Sequence, residues 1–237
     1  MNFLLHSLLI CGLFLFGCAE PVPPEADLPE DPPISNPVTN LRLLALGDSY
    51  TIGESVPESE RWPVLLAASL ETEGYGFETV EIIARTGWRT DNLMDAIDGS
   101  DLQADYDLVG LLIGVNNQFQ GRSIEEYETE FAELLQTAVL QARGNRDHVI
   151  VLSIPDYGFT PFGAPNQTQI SAAIDAFNAV NKTLTEQAGI RYFDITPISR
   201  RGLDEPALVA PDGLHPSGAQ YAEWVQAIDQ DVALLLQ

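Results

Sequence analysis

The chain has 237 residues, 45% of them apolar and 19% charged, with a mean hydropathy of +0.01. That composition excludes a disordered chain, a coiled coil and a collagen-like repeat, and it suits one α/β domain with a small extra segment. Eleven Lys and Arg against 35 Asp and Glu give a formal charge of −24, which excludes nucleic acid as a partner and adsorption to anionic lipid through a basic patch.

The first segment reads as an address. Leu8 to Gly17 is an apolar run, shorter than the roughly 20 residues needed to span a bilayer and of the length of a secretory signal. Residues 1–17 are therefore expected to be a signal peptide. The run ends in Leu15-Phe16-Gly17-Cys18, which resembles the lipobox of bacterial lipoproteins. The resemblance implies lipidation of Cys18 and a membrane anchor of two or three acyl chains. An ordinary cleaved signal or a retained anchor are the alternatives. Residues 18–40 are expected to form a linker, since Ala19–Asn40 holds seven prolines and five acids without a base.

Residues 41–237 alternate strand and helix patterns. Strands are expected at Arg42–Leu46, Val80–Ala84, Leu108–Ile113, Val149–Ile154 and Arg191–Ile195. Most are continuous Leu/Ile/Val runs, as in parallel strands covered on both faces. Helices are expected near Trp62–Leu70 and Asp91–Ile97. A third starts after Ser123, where Glu126 completes a capping box. The last two cover Ile170–Ala188 and the stretch from Pro216 onward. The alternation predicts a three-layer α/β/α sandwich around a parallel five-stranded sheet. In such sheets, ligands bind at the carboxyl ends of the strands.

Those ends carry chemistry. Gly47-Asp48-Ser49-Tyr50 follows the first strand, Arg85-Thr86-Gly87-Trp88 the second, and Gly114-Val115-Asn116-Asn117 the third. Asp212-Gly213-Leu214-His215 precedes the last helix. A serine hydroxyl needs a base to become a nucleophile. Of the three histidines, His6 lies in the signal region and His148 at the start of a strand, so His215 is the candidate base. Asp212, three residues earlier, is placed to orient it. Both cysteines, Cys11 and Cys18, lie in the first eighteen residues, so neither a disulfide framework nor a thiolate metal site is expected in the domain, and three histidines exclude a multi-histidine metal centre.

Together these blocks resemble the SGNH subfamily of GDSL hydrolases, over about Leu41 to the C-terminus. The resemblance implies a flavodoxin-like sheet of order 2-1-3-4-5 and ester hydrolysis through an acyl-enzyme, without metal or other cofactor. It assigns Ser49, Asp212 and His215 as the catalytic triad, and the Ser49 and Gly87 amides with the Asn116 carboxamide as an oxyanion hole. Tyr50 stands where Leu is usual.

Beyond the triad the expectations are about substrate. Trp88, Asn117 and Tyr157 are candidate substrate contacts. The aromatic segment Tyr157–Pro165, with Trp88 and Phe119, would wall an acyl pocket, unless these rings only pack the loop. Arg89 and Arg122 would meet an anionic group, unless they form ordinary surface pairs. Asp48 and Asp156 read as structural turn acids. The function expected is an exported serine ester hydrolase acting on short-chain, glycan O-acyl or lysophospholipid-type esters. The alternatives are an O-acyltransferase with the same triad and a non-catalytic surface module binding a glycan or a partner.

Overall fold

The computed structural model describes residues 37–237. The expected signal peptide, Cys18 and nearly all of the expected linker lie outside the described residues.

β1 (Val38–Gly47) is followed by a single helical turn, α1 (Ser49–Ile52), and by α2 (Trp62–Thr72). β2 (Tyr75–Ala84), α3 (Thr90–Asp98), β3 (Leu108–Leu112) and the short α4 (Val115–Phe119) come next. α5 (Ile124–Gln141), β4 (Val149–Leu152), α6 (Gln167–Gln187) and β5 (Arg191–Phe193) continue the alternation. The turn α7 (Thr196–Ser199) and the long α8 (Gly218–Leu235) complete it. All strands are parallel, in the order β2-β1-β3-β4-β5, as expected. Helix α2 packs with α8, and α5 packs with α3 and α6, which makes the two outer layers.

The continuous apolar runs explain the middle of the sheet. Every residue of β3 and β4 is buried, because both faces meet helices. Trp62, Tyr127, Phe131, Tyr221 and Trp224 fill the layers on either side. Fully burying a purely apolar side chain such as Phe131 stabilises by roughly 1.5–3 kcal/mol.

Strand boundaries differ from the expectation at both ends; β2 begins at Tyr75 and not Val80, because residues 75–79 pair with the early start of β1. β1 begins at Val38, inside the stretch expected to be linker, where Val38 pairs with Tyr75 and its amide donates to the Gly74 carbonyl. A register shift there is taken up by Asn40 at φ 64°, a conformation that Asn tolerates better than most residues. At the other ends, β3, β4 and β5 stop one or two residues early. After β4, the Asn178 carboxamide accepts from the Ile154 amide at 2.8 Å and donates to its carbonyl at 2.9 Å, replacing a neighbouring strand. The Ser123 cap of α5 is present, since its hydroxyl accepts from the Glu126 amide. The reciprocal half of the box is absent because the Glu126 carboxylate pairs with Arg122. Helix α8 starts at Gly218, capped by Ser217, two residues after Pro216, which bridges instead to Val209.

Candidate active site

Every strand-end loop singled out in the sequence meets on one edge of the sheet. After β1 the chain turns immediately into α1. Gly47 allows this, since a Cβ there would sit 2.4 Å from the Leu112 carbonyl of the neighbouring strand. Asp48 caps the turn by accepting from the Tyr50 amide at 3.0 Å, which presents Ser49 at the first helical position. Asp48 is fully buried, and burial pushes its pKa up to about 7, against the lowering effect of the Tyr50 and Gly114 amides.

The loop before α8 brings Asp212 and His215 together. Gly213 takes φ 74°, so that the chain reverses between them. Asp212 Oδ1 accepts from the amides of Leu214 at 2.9 Å and His215 at 3.0 Å. Its Oδ2 accepts from His215 Nδ1 at 2.6 Å and from the Ser55 hydroxyl at 2.7 Å. Partial burial raises the Asp212 pKa, but these donors outweigh it and hold the carboxyl well below the usual carboxylate range. A carboxylate facing Nδ1 places the proton there and leaves Nε2 as the bare nitrogen. His215 is 9% exposed, and its ring meets the Tyr50 ring edge-on at 5.8 Å.

Ser49 and His215 line one cavity of about 140 Å³, open to solvent. Gly87 and Asn116 line it too. Gly87 stands at φ 83°, where a Cβ would meet nothing within 4 Å, so its conformation and not crowding calls for glycine. Neither the Ser49 nor the Gly87 amide donates to another group among the described residues. Asn116 Nδ2 donates to the Trp88 carbonyl at 2.9 Å, which fixes the carboxamide and leaves its second N–H unused. Helix α4 that carries it is tied to the same loop by Gln120, whose side-chain amide donates to the Gly87 carbonyl at 3.1 Å. Gly114, at φ 129°, starts this helix in a space closed by Tyr127 and Ile154.

The candidate substrate contacts divide. Tyr157 lines the cavity, with Phe119, Phe162, Val115 and Leu214 as its apolar wall. Asn117 does not: it is fully buried, accepts from the Thr90 amide at 3.1 Å and donates to the Thr90 hydroxyl at 2.6 Å. It ties α4 to α3 and cannot reach a substrate. Trp88 contributes its carbonyl to Asn116, while its ring packs against the core and is not among the cavity lining. Arg89 pairs with Asp91 and Arg122 with Glu126, as ordinary surface pairs. Asp156 is a turn acid, capping the turn at Tyr157 by accepting from the Gly158 amide at 2.9 Å. Sequence reasoning missed Ser55, which lies six residues after Ser49 in a loop without apolar periodicity and acts only through Asp212.

A family model described as the GDSL-like lipase/acylhydrolase family matches residues 45–223. Several solved structures share the fold. That of TesA superposes with a TM-score of 0.66 at 19% identity, covering 82% of this chain and 99% of that one. Axe2, an acetylxylan esterase from Geobacillus stearothermophilus, gives 0.64 at 19% identity, over 84% of this chain and 96% of that one. The psychrotrophic esterase EstA from Pseudoalteromonas sp. gives 0.60 at 16%, over 81% and 98%. No curated protein matches the chain in sequence.

Proposed function

The chain belongs to the GDSL-like lipase/acylhydrolase family and is a carboxylic ester hydrolase, and from that premise we propose that it works through an acyl-enzyme on Ser49, with His215 as base and Asp212 as its orienting acid. The observation that carries this reading is the 2.6 Å contact between Asp212 Oδ2 and Nδ1 of His215, the histidine that shares its cavity with Ser49. His215 Nε2 takes the proton of the Ser49 hydroxyl as Oγ attacks the ester carbonyl. The carbonyl oxygen becomes an oxyanion, met by the Ser49 and Gly87 amides and the free N–H of Asn116. His215 then hands the proton to the leaving alkoxide, and the alcohol departs. Water repeats the sequence on the acyl-enzyme and releases the acid. Asp212 stays ionised throughout and stabilises the transient imidazolium. Each oxyanion donor contributes roughly 2.7–4 kcal/mol in the transition state.

The acyl group we assign is short. Val115, Phe119, Tyr157, Phe162 and Leu214 offer it an apolar wall, but the cavity of about 140 Å³ is small. The test is hydrolysis of p-nitrophenyl esters from acetate to laurate, by the wild type and by Ser49→Ala. The expected result is an optimum at acetate to butyrate and no acyl-enzyme in the variant. An optimum at laurate would move the assignment to lysophospholipid-type esters, and turnover surviving in Ser49→Ala would remove the nucleophile.

The proposal includes export and anchoring through Cys18, supported by the apolar run Leu8–Gly17 and its lipobox-like end. Palmitate labelling in a bacterial host tests it: label and membrane association are both lost in Cys18→Ser, and a wild-type protein that never takes up label would argue for simple secretion.

A further inference from the structure

The catalytic cavity has a neighbour on the far side of its aromatic wall. Phe119, Tyr157 and Phe162 line both spaces, and the second is a groove of about 340 Å³ continued by Gln118, Asn166, Gln169 and Ile170. The three rings form one cluster, with centroids 6.0–6.4 Å apart. Tyr157 is held within it by its hydroxyl on Gln118 Oε1 at 2.9 Å. Phe119 and Phe162 are 56% and 52% exposed, the two aromatics among the exposed large apolar side chains of the described residues. Both stand beside the proposed nucleophile.

We infer that this groove is the subsite for the alcohol moiety of the ester, and that this alcohol is a neutral sugar; the inference rests on the ester-hydrolase reading above. No charged side chain lines the groove, in a chain of net charge −24. A phosphorylated alcohol or a polyanionic thioester would find no cation there, since Arg89 and Arg122 are committed to Asp91 and Glu126. An alkyl chain laid in the groove would cover the carboxamides of Gln118, Asn166 and Gln169 without giving them hydrogen bonds, at a desolvation cost. A sugar suits both halves of the lining. Its hydroxyls exchange hydrogen bonds with carboxamides, and the C–H face of its ring lies against aromatic surface.

Asn166→Ala combined with Gln169→Ala tests this with little risk to the fold. Both side chains are exposed, and Asn166 precedes α6 without making a side-chain cap. On partially O-acetylated cellobiose, KM is expected to rise about fivefold to tenfold with kcat held within about twofold, as for two lost hydrogen bonds. On p-nitrophenyl acetate, whose aryl leaving group offers these carboxamides no hydroxyl, the rise in KM is expected to be smaller than on the sugar ester. A sugar-ester KM equal to wild type overturns the inference, and so does a selective loss on p-nitrophenyl laurate, which would make the groove an acyl channel. Calorimetry separates this from the catalytic reading. Cellotetraose should bind the Ser49→Ala protein, and about fivefold to tenfold more weakly when the groove changes are added. If wild type cleaves no ester while that binding difference persists, hydrolysis falls and the subsite stands. Absence of saturable cellotetraose binding overturns the subsite.

Discussion

Asp212 holds more hydrogen bonds than the orientation of one imidazole requires. Its fourth donor, Ser55, sits at φ 68°, a conformation that costs an ordinary residue about 1 kcal/mol or more. Ser55→Gly separates the two effects. Removing the hydroxyl frees the Oδ2 that faces His215, so kcat on p-nitrophenyl acetate should fall about 3–10-fold with KM unchanged. Relief of the positive φ should meanwhile leave the melting temperature level or higher. A variant with full kcat would show that the two backbone amides suffice. Asn116→Ala is a larger loss, about 10²–10³-fold in kcat with little change in KM. A raised KM at constant kcat would make Asn116 a substrate contact instead. Asn116 and Asn117 show where residue-scale reading fails. The two are alike in sequence, but successive helical positions are turned by about 100°. One therefore lines the cavity while the other is buried against Thr90.

At the scale of elements, the catalytic groups ride on loops whose supports lie elsewhere. The Tyr157 loop stands on Asp156, a fully buried carboxylate whose Oδ2 accepts from Arg200 Nε at 3.0 Å. The Asp156 amide donates to the Ser199 hydroxyl at 2.8 Å. Arg200→Ala leaves that carboxylate buried and unpaired. It should destabilise by about 2–4 kcal/mol, somewhat less than for a fully buried pair because Arg200 is about a third exposed. Chemical denaturation measures this, and KM for p-nitrophenyl esters should rise with it as Tyr157 loses its support. Unchanged stability would mean that the Gly158 amide alone satisfies Asp156. The elements themselves were legible in the sequence, since continuous apolar runs separated by helical stripes have few other readings. Their ends were less so. Nothing local marks Val38–Asn40 as strand until Tyr75 lies beside it, and nothing local stops β4 at Leu152 until Asn178 replaces the next strand.

For the whole molecule, two site carboxylates respond to pH in opposite directions. The Asp212 pKa is held low, so its contribution is present above the usual carboxylate range and is lost as acid approaches its folded value. The Asp48 pKa is raised from 3.8 to about 7, so the folded protein holds that proton more tightly than the unfolded chain. Its contribution is full below pH 3.8 and is eroded as pH rises to about 7. Asp48→Asn keeps an acceptor for the Tyr50 amide and removes the titration. It should stabilise by about 2–4 kcal/mol at pH 8 and by almost nothing at pH 4. Melting curves at the two pH values decide this, and an equal effect at both would mean that Asp48 is ionised without penalty.

The amino-acid order by itself determined the parallel α/β sandwich, because apolar runs and helical stripes are local signals that burial on both faces enforces. It also determined which strand ends bear Ser49, Asn116 and the Asp212–His215 loop, since ligands gather at the carboxyl ends of parallel strands. Tertiary structure alone decided what those groups touch. Ser55 reaches Asp212 across 157 positions, Trp88 offers its carbonyl and not its ring, and the rings of Phe119, Tyr157 and Phe162 stand as a wall between the catalytic cavity and the groove. Each of these depends on side-chain direction and on distances between loops, which are set by packing between segments far apart in sequence and not by local pattern.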